Sequence, residues 1–458
     1  MTLIKSISGM RGTIGGFPGT NLTPIDIVEM TSAYGRWLLD KGAERRVVLG
    51  RDGRISGSMV SKIATQTLLA MGIDIIDLGL STTPTVEMAV PHLNAGGGII
   101  FTASHNPREW NALKLLNNKG EFISAQDGED LLKIADNRDF SYSDIDNLGT
   151  YSRNNEMMDY HISAILGLPY INNSLIRKQG FKVVVDCINS TGAIAIPLLL
   201  DKLGCEYTLI NEKVDGEFAH NPEPLAKNLE GLAEKVLQSK AHLGIAVDPD
   251  VDRLVFMNED GQLFGEEYTL VAVADFILSI NPGATVSNLS STRALGDVSK
   301  KYGQSYYASA VGEVNVVEKM KEVNAVIGGE GNGGVILPDL HYGRDALAGI
   351  ALMLNHLAEK QLTMSALKSE YPEYHIVKEK VNLSESIILD DILNQVRNSY
   401  LEEEINEVDG LKIDFKNGWV HLRKSNTEPI IRIIAESSSI SEANKLVDMI
   451  KVYFNGKP

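Results

Sequence analysis

The chain has 458 residues, 43% of them hydrophobic and 6% aromatic, with 43 Lys and Arg against 60 Asp and Glu for a formal net charge of −17. That length exceeds what one hydrophobic core fills, so about three or four domains are expected, each burying its own core, and the composition excludes a disordered chain. The acidic balance argues against a coat for nucleic acid or an anionic membrane and leaves small molecules as the expected partners.

Residues 47–50 form a short apolar run ending in Arg51-Asp52-Gly53-Arg54; a helical pattern covers 57–71, and strand-like runs follow at 73–78 and, after a helix over 84–90, at 97–101. Strands separated by single helices predict parallel crossovers. A second block opens after the polar stretch 151–159, with strands at 182–186, 206–210 and 243–247 and a helix at 193–203. The third runs from a helix at 268–278 to a strand at 325–328. At the end, helices at 389–400 and 441–453 bracket alternating segments at 411–415, 419–422 and 430–434. The expected fold class is α/β: three similar α/β domains with mixed sheets (1–157, 158–255 and 256–371) and a C-terminal α+β domain (372–458) around a central cleft, because ligands of open α/β sheets sit beyond the carboxyl ends of the strands.

Cys187 and Cys205 lie in apolar or strand-like stretches, so neither a disulfide scaffold nor a thiolate zinc site is expected, and a reducing cytoplasm suits them. The most apolar run, 193–200, stops at Asp201, short of a membrane span, and residues 1–16 lack the apolar core of a signal peptide.

Four loops carry chemistry. Residues 102–107 read Thr-Ala-Ser-His-Asn-Pro. Ser104 lacks the Gly-x-Ser-x-Gly elbow of a hydrolase nucleophile, and neighbouring side chains are expected to diverge, which leaves His105 poorly placed as its base. As a phosphate carrier Ser104 needs a metal and cationic groups, and His105, Arg108 and Lys114 lie nearby in sequence; as a Ser-Asn-Pro turn it needs nothing more. Asp248, Asp250 and Asp252 alternate after 243–247, so an extended chain throws three carboxylates to one side, where a hard cation such as Mg²⁺ relieves their repulsion. The alternative is a solvated acidic turn. An EF-hand reading fails because Arg253 stands where its loop needs Gly and 254–256 continue as a strand.

Gly329-Glu330-Gly331-Asn332-Gly333-Gly334 has the spacing G-x-G-x-x-G but runs into the apolar residues 335–338 rather than a helix, which argues against a dinucleotide fingerprint. Its glycines, with Glu330 and Asn332, suit close approach to a polyhydroxylated ligand or a plain tight turn. Arg423-Lys424-Ser425-Asn426-Thr427-Glu428-Pro429, with Arg432, gathers donors suited to phosphate, although such clusters also occur on solvated surfaces. Near the N-terminus, 8–12 and 50–54 add arginines beside glycines, of which Arg11 is a candidate to reach a phosphoserine and Arg54 a candidate simply to pair with Asp52.

Taken in order over the whole chain, these loops resemble the α-D-phosphohexomutase family, the group that includes phosphoglucomutase/phosphomannomutase and phosphoglucosamine mutase. The resemblance implies that Ser104 is a catalytic phosphoserine and that Mg²⁺ is held by Asp248, Asp250, Asp252 and a phosphoserine oxygen on Ser104. It implies that Glu330 and Asn332 read the sugar, and that Arg423, Ser425, Asn426, Thr427 and Arg432 grip the phosphate that is not reacting. Arg11, His105, Lys114 and Arg253 become catalytic candidates for charge stabilisation or proton handling, with the general base left open. The implied activity is an intramolecular phosphotransfer between hexose 1-phosphate and 6-phosphate through a sugar bisphosphate, with a sugar 1,6-bisphosphate as activator. The expected setting is a cytoplasmic monomer or homodimer that binds neither nucleic acid nor membrane.

The chain also departs from the family pattern. Asn332 stands where many members have Ser, Gly334 where many have His, and Asn426 where many have Gly, while Val251 replaces a Gly or Ala. The Gly-Glu-Gly-Asn-Gly-Gly loop is more similar to the phosphoglucosamine mutase branch, so conversion of glucosamine 6-phosphate to glucosamine 1-phosphate is the expected reaction, with phosphoglucomutase/phosphomannomutase activity the alternative. Two other classes make different demands: a metal-dependent sugar phosphatase releases inorganic phosphate, and a non-catalytic sugar-phosphate sensor would have a broken metal loop, whereas Ser104 and all three aspartates are present.

Overall fold

The computed structural model describes residues 2–6, 9–382, 389–424 and 430–454. Three successive units share one strand plan. In the first, Arg46–Arg51 pairs in parallel with Asp74–Leu80 on one side and Gly97–Phe101 on the other, and Trp110–Leu116 returns antiparallel to Gly97–Phe101. In the second, Lys182–Asp186 lies between the parallel strands Glu206–Ile210 and Leu243–Val247, and Leu254–Asn258 is the antiparallel return. The third places Thr285–Asn288 between Tyr306–Ser309 and Ile327–Glu330, with Gly334–Ile336 returning. The repetition expected in element order is thus a repeated topology, and the sheets are mixed as anticipated. In each unit the polar loop lies between the carboxyl end of a parallel strand and its antiparallel return, so a ligand site is built from the same topological position three times.

Ile4–Ser6, Gly9–Thr13 and Tyr151–Arg153 extend the first sheet to seven strands. Local chemistry starts the intervening helices where they are needed. Thr82 caps Thr83–His92 by accepting a hydrogen bond from Thr85 N, and Pro84 occupies the first turn, where no N–H is required. The C-terminal unit is a five-stranded antiparallel sheet whose apolar face is covered by Leu389–Ser399 and Ile440–Lys451 through Val396, Val447 and Ile450.

One expectation is corrected. The second and third units do not bury separate main cores: a single apolar cluster runs from Ile162 through Val185, Phe256 and Leu270 to Leu354. The reason is the helices Glu266–Ile280 and Ala346–Lys360, which are apolar almost all round and are buried by neighbours on both sides. The strand Leu254–Asn258 belongs wholly to the second sheet, so a division after residue 255 would cut it. Among the described residues no helix is long and apolar enough to cross a membrane.

Candidate active site

The first two polar loops meet directly. Ser104 Oγ donates a hydrogen bond to Asp248 Oδ2 at 2.5 Å across 144 residues of sequence. Ser104 has φ +50°, a left-handed backbone uncommon for a non-glycine residue. That twist swings His105 back, so its Nδ1 lies 3.4 Å from Ser104 Oγ; the expected divergence of these neighbours does not occur. Burial, and then the charge of Arg253, push the His105 pKa down to about 2 and favour the neutral ring.

Arg54 holds this loop in shape. Its guanidinium donates to the carbonyl oxygens of Ser104 (2.5 Å), Asn106 (2.6 Å), Pro107 (2.7 Å) and Trp110 (2.9 Å), while Nε donates to Asp52 Oδ2 at 3.0 Å. Thr102 Oγ1 donates to the same Asp52 oxygen at 2.7 Å. Sequence reading reached the Asp52 pair but not the clamp. Five donors in a rigid fork are what four converging carbonyls and a carboxylate require.

Asp248, Asp250 and Asp252 are fully buried, and each offers a carboxylate oxygen within 4.8 Å of the others'. Burial first, then Asp252 and Asp250, push the Asp248 carboxyl well above its ordinary value. Lys114 Nζ lies 2.7 Å from Asp250 Oδ2 and 3.1 Å from Asp252 Oδ2; burial lowers its affinity for a proton, but these two carboxylates outweigh burial and the net shift is upward. Asp250 Oδ1 and Asp252 Oδ1 are buried without a hydrogen-bond partner. Orphaned carboxylate oxygens of this kind, in an all-oxygen donor set, fit Mg²⁺. The turn is tight enough to force Val251 to φ +62°, an outlier for a β-branched residue.

The third loop joins the same site through a residue that sequence reading missed. Arg344 is buried, with Nη2 donating to Asp252 Oδ2 at 2.7 Å, Nη1 to Glu330 Oε2 at 2.8 Å and Nε to Glu313 Oε2 at 3.1 Å. Its aliphatic stem fills the space beside Gly334: a Cβ on that residue would stand 2.3 Å from Arg344 Cδ. Gly333, at φ +85°, lets the loop's backbone approach the strand that returns from the aspartate loop, where Leu254 N donates to Gly333 O at 3.1 Å. Asn332 turns toward its own loop, Oδ1 accepting from Gly334 N at 3.2 Å and Nδ2 donating to Glu330 Oε2 at 3.4 Å. The signal for Arg344 in sequence was the Arg-Asp pair before an apolar helix, where Asp345 is the N-cap.

A cleft of about 420 Å³ is lined by Arg11, Ser104, His105, Lys114, Arg253 and Arg423, among others, and a neighbouring cavity of about 360 Å³ shares Arg11 and Lys114 and reaches Glu330 and Arg344. Arg253 Nε is buried there without a hydrogen-bond partner. Arg423 and Arg432 stand directly opposite on adjacent antiparallel strands, with Arg423 Nε paired to Asp409 Oδ2 at 2.8 Å, and Arg432 is near enough to add to burial in lowering the Arg11 pKa. Ser425, Asn426 and Thr427 lie outside the described residues. Arg108 points elsewhere, paired with Glu217 at the surface.

Models of the phosphoglucomutase/phosphomannomutase alpha/beta/alpha domains I, II and III match residues 3–142, 159–261 and 265–374, and that of the C-terminal domain matches 380–451. The chain belongs to the phosphoglucomutase/phosphomannomutase family. It is therefore a phosphohexomutase, an isomerase of the intramolecular phosphotransferase kind. Among similar family members, a phosphoglucomutase/phosphomannomutase of Thermococcus kodakarensis is 35% identical over 446 residues, 96% of each chain. A phosphoglucosamine/phosphogalactosamine mutase of Sulfurisphaera tokodaii is 32% identical over 456 residues, 98% of each. The crystal structure of a family protein from Burkholderia thailandensis superposes with a TM-score of 0.86 at 26% identity, covering 99% of this chain and 98% of that one.

Proposed function

We propose that this phosphohexomutase interconverts glucosamine 6-phosphate and glucosamine 1-phosphate by way of a phosphoserine at Ser104. The observation that carries the reading is Ser104 Oγ set 2.5 Å from Asp248 in a cleft that also gathers Arg11, Arg253 and Arg423 from three different units. The sugar's free hydroxyl oxygen bonds to phosphorus as the Ser104 Oγ–P bond breaks, and its proton passes to a basic group of the cleft. The resulting 1,6-bisphosphate turns around and returns its other phosphoryl group to Ser104 Oγ, and the same bisphosphate added from outside acts as activator.

Asp248, Asp250 and Asp252, with a phosphoserine oxygen, would hold Mg²⁺, whose chemistry there is to neutralise charge on the transferring group. Arg11 and Arg253 present cations to the reacting phosphate. Arg423 and Arg432, with Ser425, Asn426 and Thr427, hold the phosphate that is not reacting. Glu330, oriented by Arg344 and Asn332, accepts hydrogen bonds from the sugar hydroxyls.

The Asn332-Gly333-Gly334 version of the sugar loop and the similarity to the phosphoglucosamine/phosphogalactosamine mutase of Sulfurisphaera tokodaii favour the amino sugar. The Thermococcus kodakarensis relative favours a second reading, glucose and mannose phosphates handled by the same mechanism. The enzyme works in the cytoplasm as a monomer or homodimer. Turnover compared on glucosamine, glucose and mannose 1-phosphates chooses between the two readings. Intact-mass analysis of Ser104→Ala tests both: retention of a bound phosphoryl group together with mutase turnover removes Ser104 from the mechanism.

A further inference from the structure

Where the three α/β units meet, a second cluster of metal-binding side chains lies outside the cleft. His161 comes from the helix Met157–Leu166, and His341 and Asp345 from the segment leading into Ala346–Lys360; Thr85 and Glu87 face them from Thr83–His92. His161 Nε2 lies 2.8 Å, and His341 Nε2 3.3 Å, from the same oxygen, Asp345 Oδ2. The rings stand almost perpendicular, at 88°, with centroids 6.2 Å apart. Ligand atoms of all three residues fall within 4.8 Å of one another.

The remaining atom of each side chain is already committed in the way a ligand requires. His161 Nδ1 is 2.9 Å from Thr85 Oγ1, and His341 Nδ1 is 3.4 Å from Glu87 Oε2. Asp345 Oδ1 accepts from Leu347 N at 2.8 Å and Ala348 N at 3.1 Å, which leaves Oδ2 to face the imidazoles. Histidine ligands characteristically have their second ring nitrogen fixed by a hydroxyl, carbonyl or carboxylate.

The groups behind His341 point the same way. Asp345 Oδ2 is the shared inner partner of both Nε2 atoms, while Thr85 and Glu87 stand behind the outer ring nitrogens. Both Glu87 oxygens are buried without a hydrogen-bond partner, and so is His341 Nδ1. An imidazole bound to a metal through Nε2 presents its Nδ1–H to a neighbouring acceptor, and His341 Nδ1 faces Glu87 Oε2 at 3.4 Å. We propose that His161, His341 and Asp345 bind a zinc-class transition-metal dication that clips the second α/β unit to the third, with Thr85 and Glu87 of the first unit behind the imidazoles. Two imidazoles and a carboxylate suit Zn²⁺ rather than Mg²⁺, so this ion differs from that of the aspartate loop.

The test uses the full chain and Zn²⁺ or Co²⁺ alone as probe. Asp248→Asn, which disables the aspartate loop, is expected to keep a stoichiometric zinc by elemental analysis after dialysis, to show the visible d–d bands of low-symmetry Co²⁺, and to melt at higher temperature with zinc than without. His341→Gln, made in the same background, is expected to fold with unchanged circular dichroism but to bind zinc at least about tenfold more weakly. Absence of zinc uptake and of cobalt bands in Asp248→Asn overturns the site, because His341 is then held by Glu87 and Asp345 through protons alone. Unchanged zinc affinity in the His341→Gln background overturns it as well.

Discussion

Arg344 donates from Nη2 to Asp252 Oδ2 at 2.7 Å, and through that guanidinium, which also holds Glu330, the glycine-rich loop of the third unit is tied to the aspartate loop of the second. The same guanidinium neutralises Glu330 and Glu313, so one cation serves three buried carboxylates.

Arg344→Met leaves those carboxylates without their shared cation. Breaking a buried pair from one side costs about 3–5 kcal/mol, so the urea midpoint should fall by a corresponding amount and turnover should collapse. Arg344→Lys, lacking the fork, should recover only part of each. Gly334→Ala should lower turnover with less loss of stability, since its methyl displaces the Arg344 stem rather than removing the charge. A Gly334→Ala enzyme as active as the parent would show that Arg344 tolerates displacement.

Arg54→Lys replaces a five-donor fork by one ammonium facing the carbonyls of Ser104, Asn106, Pro107 and Trp110. Displacement of the serine loop by about 1 Å is enough to cost roughly 10²-fold in turnover. Circular dichroism should stay unchanged while amide exchange over residues 102–110 accelerates. Parent-like exchange and turnover would mean that the loop keeps its shape without the clamp.

Mg²⁺ should stabilise the folded chain by mass action, about 2.7 kcal/mol at a hundred times its dissociation constant, and a chelator should reverse the gain. The increment should vanish in Asp250→Asn, because a neutral amide replaces a carboxylate whose Oδ1 has no other partner. A parent protein whose melting temperature ignores Mg²⁺ would contradict the assignment of the aspartate loop.

Glu267 supplies a pH dependence remote from the aspartate loop. Its carboxyl packs, partly buried, beside Gly331, its Oε2 accepts from Thr292 N at 2.8 Å, and loss of water around it pushes its pKa up to about 8. The folded state therefore holds the proton more tightly than the unfolded chain does. Its contribution to stability is fully present below the unfolded carboxyl value and is lost as pH rises to about 8, at up to about 1.4 kcal/mol per pH unit. Glu267→Gln should remove that slope, gaining on the parent at pH 8 relative to pH 5 in denaturant titrations. Parallel slopes for the two proteins would place the ionisation elsewhere.

Much of the fold was legible because strands, helices and loops are written in short windows. The parallel strands preceding the first two polar loops were read at 97–101 and 243–247, where they occur. The third was read two residues early, at 325–328 instead of Ile327–Glu330, because glycines 328 and 329 resemble a loop until the antiparallel return at Gly334–Ile336 pairs with them. The shared core of the second and third units was not legible, because apolarity shows that a helix is buried and not which neighbours bury it.

The sequence by itself determined the chemistry of the four loops and their order along the chain, since carboxylates at alternate positions, a serine at a strand end and clustered arginines are local facts. Only the tertiary structure decided which groups meet. Ser104 and Asp248 are 144 residues apart, Arg344 and Asp252 are 92 apart, and His161 and Asp345 are 184 apart. The approach of His105 to Ser104 depends on a single left-handed φ, which no one-dimensional pattern encodes. A buried ion network exists only when the fold brings its members within hydrogen-bond range and excludes the water that would otherwise solvate each one separately.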